Sequence, residues 1–189
     1  MPATEEDIAT GRRMARVFFA IWPDNKAQKQ LGSLVNRLRL ESLCSGRKTK
    51  AENIHLTLVF IGEVDSSKME ALCKVADEIR ESGARAFDFA IEEIRYWKHN
   101  HIVYLAPRDV PAELIDLVNG LRNGLSTAGF PLEQRDYAPH LTLIRSACCR
   151  VLPELAEPIA WRVSEWVLIR SEQTSDGSIY SPVGRWPLS

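Results

Sequence analysis

The sequence contains little cysteine and little histidine, four of each in 189 residues. No Cys-x-x-Cys pair occurs, so a zinc ribbon and a thioredoxin-type redox motif are excluded. Four scattered cysteines favour reduced thiols over a disulfide framework, and we therefore expect a cytoplasmic protein. The acidic first seven residues argue against a secretory signal.

Long apolar runs and an excess of charge of one sign are also absent. The apolar stretch at 17–22 is far too short to span a membrane. A net charge of −1 argues against long-range electrostatic binding of nucleic acid, so any such ligand is small or held locally. One basic cluster, at 47–50, is either a solvated loop or a local attractor for phosphate.

Glycine-rich phosphate loops are missing, which excludes Rossmann and P-loop nucleotide sites. Apolar patterns instead predict three helices, whose faces carry Leu31–Leu38, Met69–Ile79 and Leu114–Leu125. Ser66 or Ser67 is the predicted cap of the second helix. Strands are predicted at 16–22, 54–61, 87–91, 102–106, 140–145, 161–163, 167–170 and 179–186, with a hairpin turn at 98–100 and a loop at 44–53.

This order of elements predicts an α+β fold. We expect two pseudo-symmetric lobes, each a mainly antiparallel sheet with helices on its outer face, and an active-site cleft between them. Residues 1–14 are predicted to be a flexible tail. Residues 15–189 would form the single bilobal domain, and since no extended apolar seam is visible, we expect a monomer.

A repeated tetrapeptide is the most specific feature of the chain. His55 and His140 are each followed by Leu-Thr-Leu. Because side chains alternate along a strand, each histidine shares one face with its threonine, Thr57 or Thr142, while the leucines occupy the other. If the halves are related by an approximate two-fold axis, the two His-Thr pairs converge across a cleft.

These residue types suit cleavage of a phosphodiester without a metal. One imidazole can give a proton to the leaving oxygen while the other takes one from the nucleophile. The threonine hydroxyls can donate hydrogen bonds to phosphate oxygens. Arg145 falls on the opposite face by strict alternation, but a bulge or strand end can turn its guanidinium towards the phosphate.

Each histidine also has a non-catalytic interpretation. A single His-x-Thr on a strand is usually a structural, hydrogen-bonded histidine, but two identical copies argue against that. His99 and His101 can clamp a metal, although a turn of exposed histidines is the simpler interpretation. We predict no metal and no cofactor, since the paired histidines have no acidic or cysteine ligand at typical spacing.

The motifs at 53–63 and 139–145 resemble those of the two-histidine phosphoesterase superfamily. The similarity is specifically to the bacterial and archaeal RNA 2′,3′-cyclic phosphodiesterases, also called 2′-5′ RNA ligases or LigT-like proteins. It extends from Arg16 to the ending at 186–188. The paired motifs are its specific part.

The resemblance implies hydrolysis of a terminal 2′,3′-cyclic phosphate on an RNA or oligonucleotide to a 2′-phosphomonoester, with reversible 2′-5′ ligation possible. It implies that His55 is the proton donor and His140 the proton acceptor. Thr57, Thr142 and Arg145 would bind the phosphate. Alternatives are a phosphodiesterase for small nucleotide cyclic phosphates or 2′-5′ oligonucleotides, and a non-catalytic RNA-end-binding module.

Two aromatic residues flank these motifs. Trp97 and Tyr137 lie near the predicted hairpin and just before the second motif. Either can stack on a base, as in recognition of single-stranded RNA, or pack in the core.

Overall fold

A computed structural model describes residues 14–41, 43–175 and 177–189. The predicted tail therefore lies outside the described residues, apart from Met14, with which the first strand begins. The helices are α1 (Asn25–Leu40), α2 (Met69–Glu81) and α3 (Ala112–Thr127). The strands are β1 (Met14–Ile21), β2 (Cys44–Lys48), β3 (Leu56–Asp65), β4 (Phe87–Ile91), β5 (Glu93–Trp97), β6 (Ile102–Ala106), β7 (Leu141–Cys149), β8 (Ile159–Val163), β9 (Glu165–Thr174) and β10 (Gly177–Pro187).

The α+β class and the antiparallel pairing are confirmed. Seven strands form one path, β10-β9-β1-β3-β7-β6-β5, β2 pairs with β7 beside it, and β4 and β8 make a separate ribbon. The two halves of the main sheet meet where β3 and β7 pair through Leu56 and Leu141. The halves are thus joined in one sheet instead of each carrying its own.

All three helices pack on one face of this sheet. Their apolar stripes, at the positions predicted from the 3.6-residue period, join the inward residues of the strands in a single core. The alternate residues of β1 and β9, such as Phe18 and Ile169, form a smaller apolar cluster on the opposite face. The main sheet therefore has one face covered by helices and one face free to carry a site.

The segment 44–53 was predicted to be a loop, and this prediction is wrong. It forms strand β2, followed by a 3-10 turn at Ala51–Asn53. Only Cys44 of β2 is buried, since the strand lies at an edge and pairs with β7 alone, so its polar composition hides it. Gly46 permits the close pairing, because a Cβ there would lie 2.8 Å from two carbonyl oxygens of β7.

The prediction that the cysteines are reduced is wrong for two of them. Cys44 and Cys149 form a disulfide between β2 and β7, 105 residues apart in sequence. Cys73 and Cys148 are free thiols. A pairing over such a distance leaves no spacing pattern in the sequence.

Two boundaries near the first motif also differ from prediction. Strand β3 continues past Gly62 to Asp65, because Gly62 takes a φ of 89° and absorbs a bulge against β1. The predicted serine cap is replaced by Asp65, whose carboxylate accepts a hydrogen bond from the backbone of Ser67 at 2.9 Å. That bond opens the 3-10 turn at Ser66–Lys68 from which α2 continues.

Candidate active site

The two His-Leu-Thr-Leu motifs lie side by side at the junction of β3 and β7. Leu56 pairs with Leu141 in antiparallel register. Extending that register by one residue in each direction sets His55 opposite Thr142 and Thr57 opposite His140. The histidines occupy diagonal positions, which are typically about 7–8 Å apart, with the Cβ atoms somewhat closer. All four side chains line one pocket on the helix-free face, as the sequence predicts.

A bulge in the second motif explains why Arg145 also reaches this pocket. In β7, Val103 and Tyr104 of β6 pair with Ile144 and Thr142, so that Leu143 is an extra residue. Leu143 and Ile144 are both buried, and alternation restarts with Arg145 pointing outward. A bulge, one of the two ways in which the sequence interpretation let Arg145 turn towards the phosphate, is thus present, and Arg145 lines the pocket.

The first motif has the same bulge at the matching position. Phe19 and Ala20 of β1 pair with Val59 and Thr57, which makes Leu58 the extra residue. Alternation then restarts at Phe60, the counterpart of Arg145. Phe60 carries no charge and instead packs beneath the guanidinium of Arg16, 5.0 Å from its ring centroid. The two halves thus match in backbone and differ in charge.

Both histidine rings are held in the same orientation by the backbone. Nδ1 of His55 lies 2.7 Å from the carbonyl oxygen of Asn53, and Nδ1 of His140 lies 2.8 Å from that of Ala138. Because a carbonyl only accepts, each ring must carry a hydrogen on Nδ1. Nε2 of each neutral ring is left with a free lone pair, which is the atom available for proton transfer.

Aromatic rings surround His55. It is stacked between Phe18 and Trp22, with centroids 4.9 and 4.8 Å away, and Tyr180 meets it edge-on. Burial lowers its pKa from 6.5 to about 4, and the charges of Arg145 and His140 act in the same direction. The hydrogen bond from Nδ1 only partly opposes this shift.

His140 has a related but more open environment. The indole of Trp97 lies edge-on at 4.7 Å, and Tyr104 lies behind it at 5.9 Å. Burial again lowers the pKa of the ring, with smaller contributions from the charges of Arg135 and Arg145. Both histidines are therefore neutral at pH 7 in the free protein.

The pocket is strongly cationic. Its described lining contains no carboxylate, and four side chains bring positive charge: Arg47, Lys48, Lys50 and Arg145. Three of these come from the basic cluster at 47–50, which β2 and the following turn place at the rim. A polar cavity with this charge, two hydroxyls and two imidazoles suits a small anion such as a phosphate diester.

Further residues around the site lie outside the two motifs and were not predicted to belong to it. Ser178 and Tyr180 arrive from β10, more than 30 residues after the second motif. The side-chain amide of Asn53 donates to the carbonyl of Ser178 at 2.9 Å, which ties the first motif to that strand. Trp22 is held by a hydrogen bond from its indole to the carbonyl of Glu52 at 2.9 Å.

Trp97 and Tyr137 lie in a neighbouring pocket that shares Thr57 and His140 with the first. The hydroxyl of Tyr137 donates to the carbonyl of Thr57 at 3.1 Å, and burial raises the pKa of this phenol. Tyr137 thus has a packing role, whereas Trp97 is only half-buried and faces the pocket.

His99 and His101 stay in the turn between β5 and β6, and Nδ1 of His101 lies 3.0 Å from the hydroxyl of Tyr96. Within residues 14–41, 43–175 and 177–189, no group of three His, Cys, Asp or Glu side chains is arranged to hold a metal. Nor is any described helix long and apolar enough to cross a membrane.

A family profile for the 2′-5′ RNA ligase superfamily matches residues 23–175, a range that includes both histidines and their threonines. The chain belongs to this superfamily. The predicted resemblance is confirmed, and the superfamily match spans the whole of the site built from β3 and β7.

Two relatives in the superfamily carry the name RNA 2′,3′-cyclic phosphodiesterase. The protein from Escherichia coli is 34% identical over 146 residues, covering 77% of this chain and 81% of the relative. The protein from Thermotoga maritima is 29% identical over 181 residues, covering 87% and 91%. Both are similar over most of their length.

Solved structures show the same fold. Apo E. coli LigT superposes with a TM-score of 0.84 at 30% identity, covering 93% of this chain and 98% of LigT. E. coli LigT complexed with 3′-AMP gives a TM-score of 0.84 at 31% identity, covering 94% and 99%. The fold described above is therefore shared with E. coli LigT.

Proposed function

We propose that this protein hydrolyses the terminal 2′,3′-cyclic phosphate of RNA to a 2′-phosphomonoester. The observation that supports this best is the convergence of two His-Thr pairs on one cationic pocket. The E. coli and T. maritima relatives, named RNA 2′,3′-cyclic phosphodiesterases, support the same substrate. Ligation to a 2′-5′ diester follows from the same chemistry when a 5′ hydroxyl replaces water as the nucleophile, and its reversal is cleavage of that diester.

The two imidazoles divide the proton transfers between them. His140, neutral with a free Nε2, takes a proton from the attacking water. His55 gives a proton from Nε2 to the 3′ oxygen as the P–O3′ bond breaks. Because His55 is neutral in the free protein, it acquires its proton when the anionic phosphate binds and raises its pKa. Two such groups suit a reaction that needs neither metal nor cofactor.

The neighbouring polar residues bind the phosphate. Thr57 and Thr142 donate hydrogen bonds from their hydroxyls to the non-bridging oxygens. Arg145 adds a charge-assisted hydrogen bond, and its fixed positive charge offsets the negative charge of the phosphate. The rim at 47–50 attracts the RNA end before it enters the pocket.

The fold supports a division into two pseudo-symmetric lobes. β1 with β3 in one half corresponds to β6 with β7 in the other, and β3 and β7 each contain a bulge at the matching leucine. The active site lies between the lobes. We propose that residues 15–189 act as a single catalytic domain and as a monomer.

A direct assay tests this function. Protein stripped of metal with a chelator is incubated with a short RNA ending in a 2′,3′-cyclic phosphate, and the 2′-phosphate product is separated by electrophoresis. We expect turnover without added metal. His55→Ala and His140→Ala should each lower kcat at least 100-fold, since each proton-transfer group contributes about 10²–10⁴-fold. His99→Ala, in the exposed turn, is the matched control.

Three outcomes would contradict the proposal. One is the absence of turnover, and another is turnover that only metal restores. The third is tight binding of the RNA end with no product, which would make the protein a binding module. Faster turnover of cyclic mononucleotides than of RNA would indicate that small nucleotides are the substrate.

A further inference from the structure

Next to the phosphate pocket lies a second pocket, which we call the His140-side pocket. It opens between β3, the end of β5 and the segment 132–138, and Thr57 and His140 belong to both pockets. A molecule that fills the His140-side pocket can therefore contact the same histidine as the phosphate. The proposed hydrolysis of a cyclic phosphate by water leaves this space unused.

The lining of the His140-side pocket differs from that of the phosphate pocket. It presents the apolar side chains of Phe60, Trp97 and Leu132. The negative charges of its carboxylates, Glu133 and Asp136, offset the positive charges of its two arginines. A surface that is aromatic, nearly neutral in charge and rich in acceptors suits a nucleoside better than a second phosphate.

Its wall is fixed before any ligand binds. The guanidinium of Arg122, from α3, donates to the carbonyls of Glu133 and Arg135, both at 3.0 Å. Tyr137 ties the other end of the segment to β3 through the carbonyl of Thr57. The indole of Trp97 is stacked on Tyr104 with centroids 3.9 Å apart. The pocket is preformed, so binding requires little ordering.

The reaction geometry says which nucleoside belongs there. In displacement at phosphorus the entering and leaving oxygens lie roughly in line, on opposite sides. With His55 serving the 3′ oxygen, the ribose of the cyclic phosphate lies towards His55. The oxygen on the side of His140 is then water, or the 5′ hydroxyl of a second nucleoside.

We propose that the His140-side pocket binds the nucleoside whose 5′ oxygen is joined to phosphorus in a 2′-5′ phosphodiester. This inference rests on the proposed function. In cleavage, the 3′ hydroxyl attacks phosphorus and passes its proton to His55, while the P–O5′ bond breaks and O5′ takes a proton from His140. The products are a 2′,3′-cyclic phosphate and a 5′ hydroxyl, and ligation is the reverse.

The test compares two substrates, a 2′-5′-linked diadenosine monophosphate and adenosine 2′,3′-cyclic phosphate. Stacking of one base contributes about 1–3 kcal/mol, or about 5- to 150-fold. Trp97→Ala should therefore lower kcat/KM for the dinucleotide at least fivefold more than for the cyclic phosphate. Leu132→Trp, which fills the pocket, should do the same. Trp22→Ala, on the side of His55, is the matched control and should affect both substrates alike.

Equal losses on both substrates with Trp97→Ala and Leu132→Trp, or no loss on either, would overturn the subsite. Binding keeps the test separate from catalysis. In a His55→Ala background, calorimetry should give tighter binding of the dinucleotide than of adenosine 2′-phosphate, and Trp97→Ala should remove the difference. If the wild-type protein fails to turn over the cyclic phosphate, the proposed function fails while this binding measurement still decides the subsite.

Discussion

The half-buried ring of His55, enclosed by aromatic side chains, makes the stability of the protein depend on pH. Its pKa is about 4 in the folded state against 6.5 for an ordinary histidine. The unfolded chain therefore binds a proton more readily, so folding stability rises with pH. The contribution is fully present above about pH 6.5 and is lost as pH falls towards 4. Linkage gives about 3 kcal/mol between pH 7 and pH 4.

The perturbation is His55→Gln, which removes the titrating group and keeps a polar side chain of similar size. Urea denaturation at pH 7, 6, 5 and 4 gives the free energy of unfolding of both proteins. We expect the wild-type protein to lose about 3 kcal/mol more than the variant over this range. His99→Gln is the control and should follow the wild type. The reasoning would be refuted if both proteins lost the same amount, or if NMR showed His55 titrating near 6.5.

Three further predictions concern other parts of the molecule. Gly124→Val should destabilise the protein by about 1–3 kcal/mol in thermal denaturation, because a Cβ at 124 would lie 2.8 Å from Val75 of α2. Asn123→Val, exposed on the same helix, should cost much less. Cys149→Ser should lower unfolding stability by about 2–4 kcal/mol through loss of the disulfide to Cys44, and a reducing agent should then have no further effect. Arg145→Ala should weaken competitive inhibition by inorganic phosphate about tenfold, whereas equal inhibition of variant and wild type would separate this arginine from the phosphate site.

The sequence was most informative where it contained a regular apolar period or a repeated motif. The apolar periods located all three helices, and the strand alternation placed both His-Thr pairs on one face. The bulge that brings Arg145 into the pocket was anticipated only as a possibility. Its position depends on how β6 pairs with β7, which is a property of two segments together.

Apart from the convergence of the two motifs, contacts between distant segments could not be predicted. Tyr180 reaches His55 from the last strand, and Cys44 meets Cys149 across 105 residues. β2 was missed because an edge strand can be polar on nearly every residue. In each case the interaction is tertiary, so the residue pattern along a single segment does not indicate it.

The single backbone pair between Leu56 and Leu141 has a consequence for how the enzyme can change over time. The separation of the two histidines is set by strand pairing and by carbonyls two residues upstream, and it owes little to the side chains around the pocket. Aromatic and charged residues at the rim can therefore be exchanged without changing this separation, although such exchanges would shift the pKa values of the two rings. Substrate range can change in this scaffold while the distance between the two histidines stays constant.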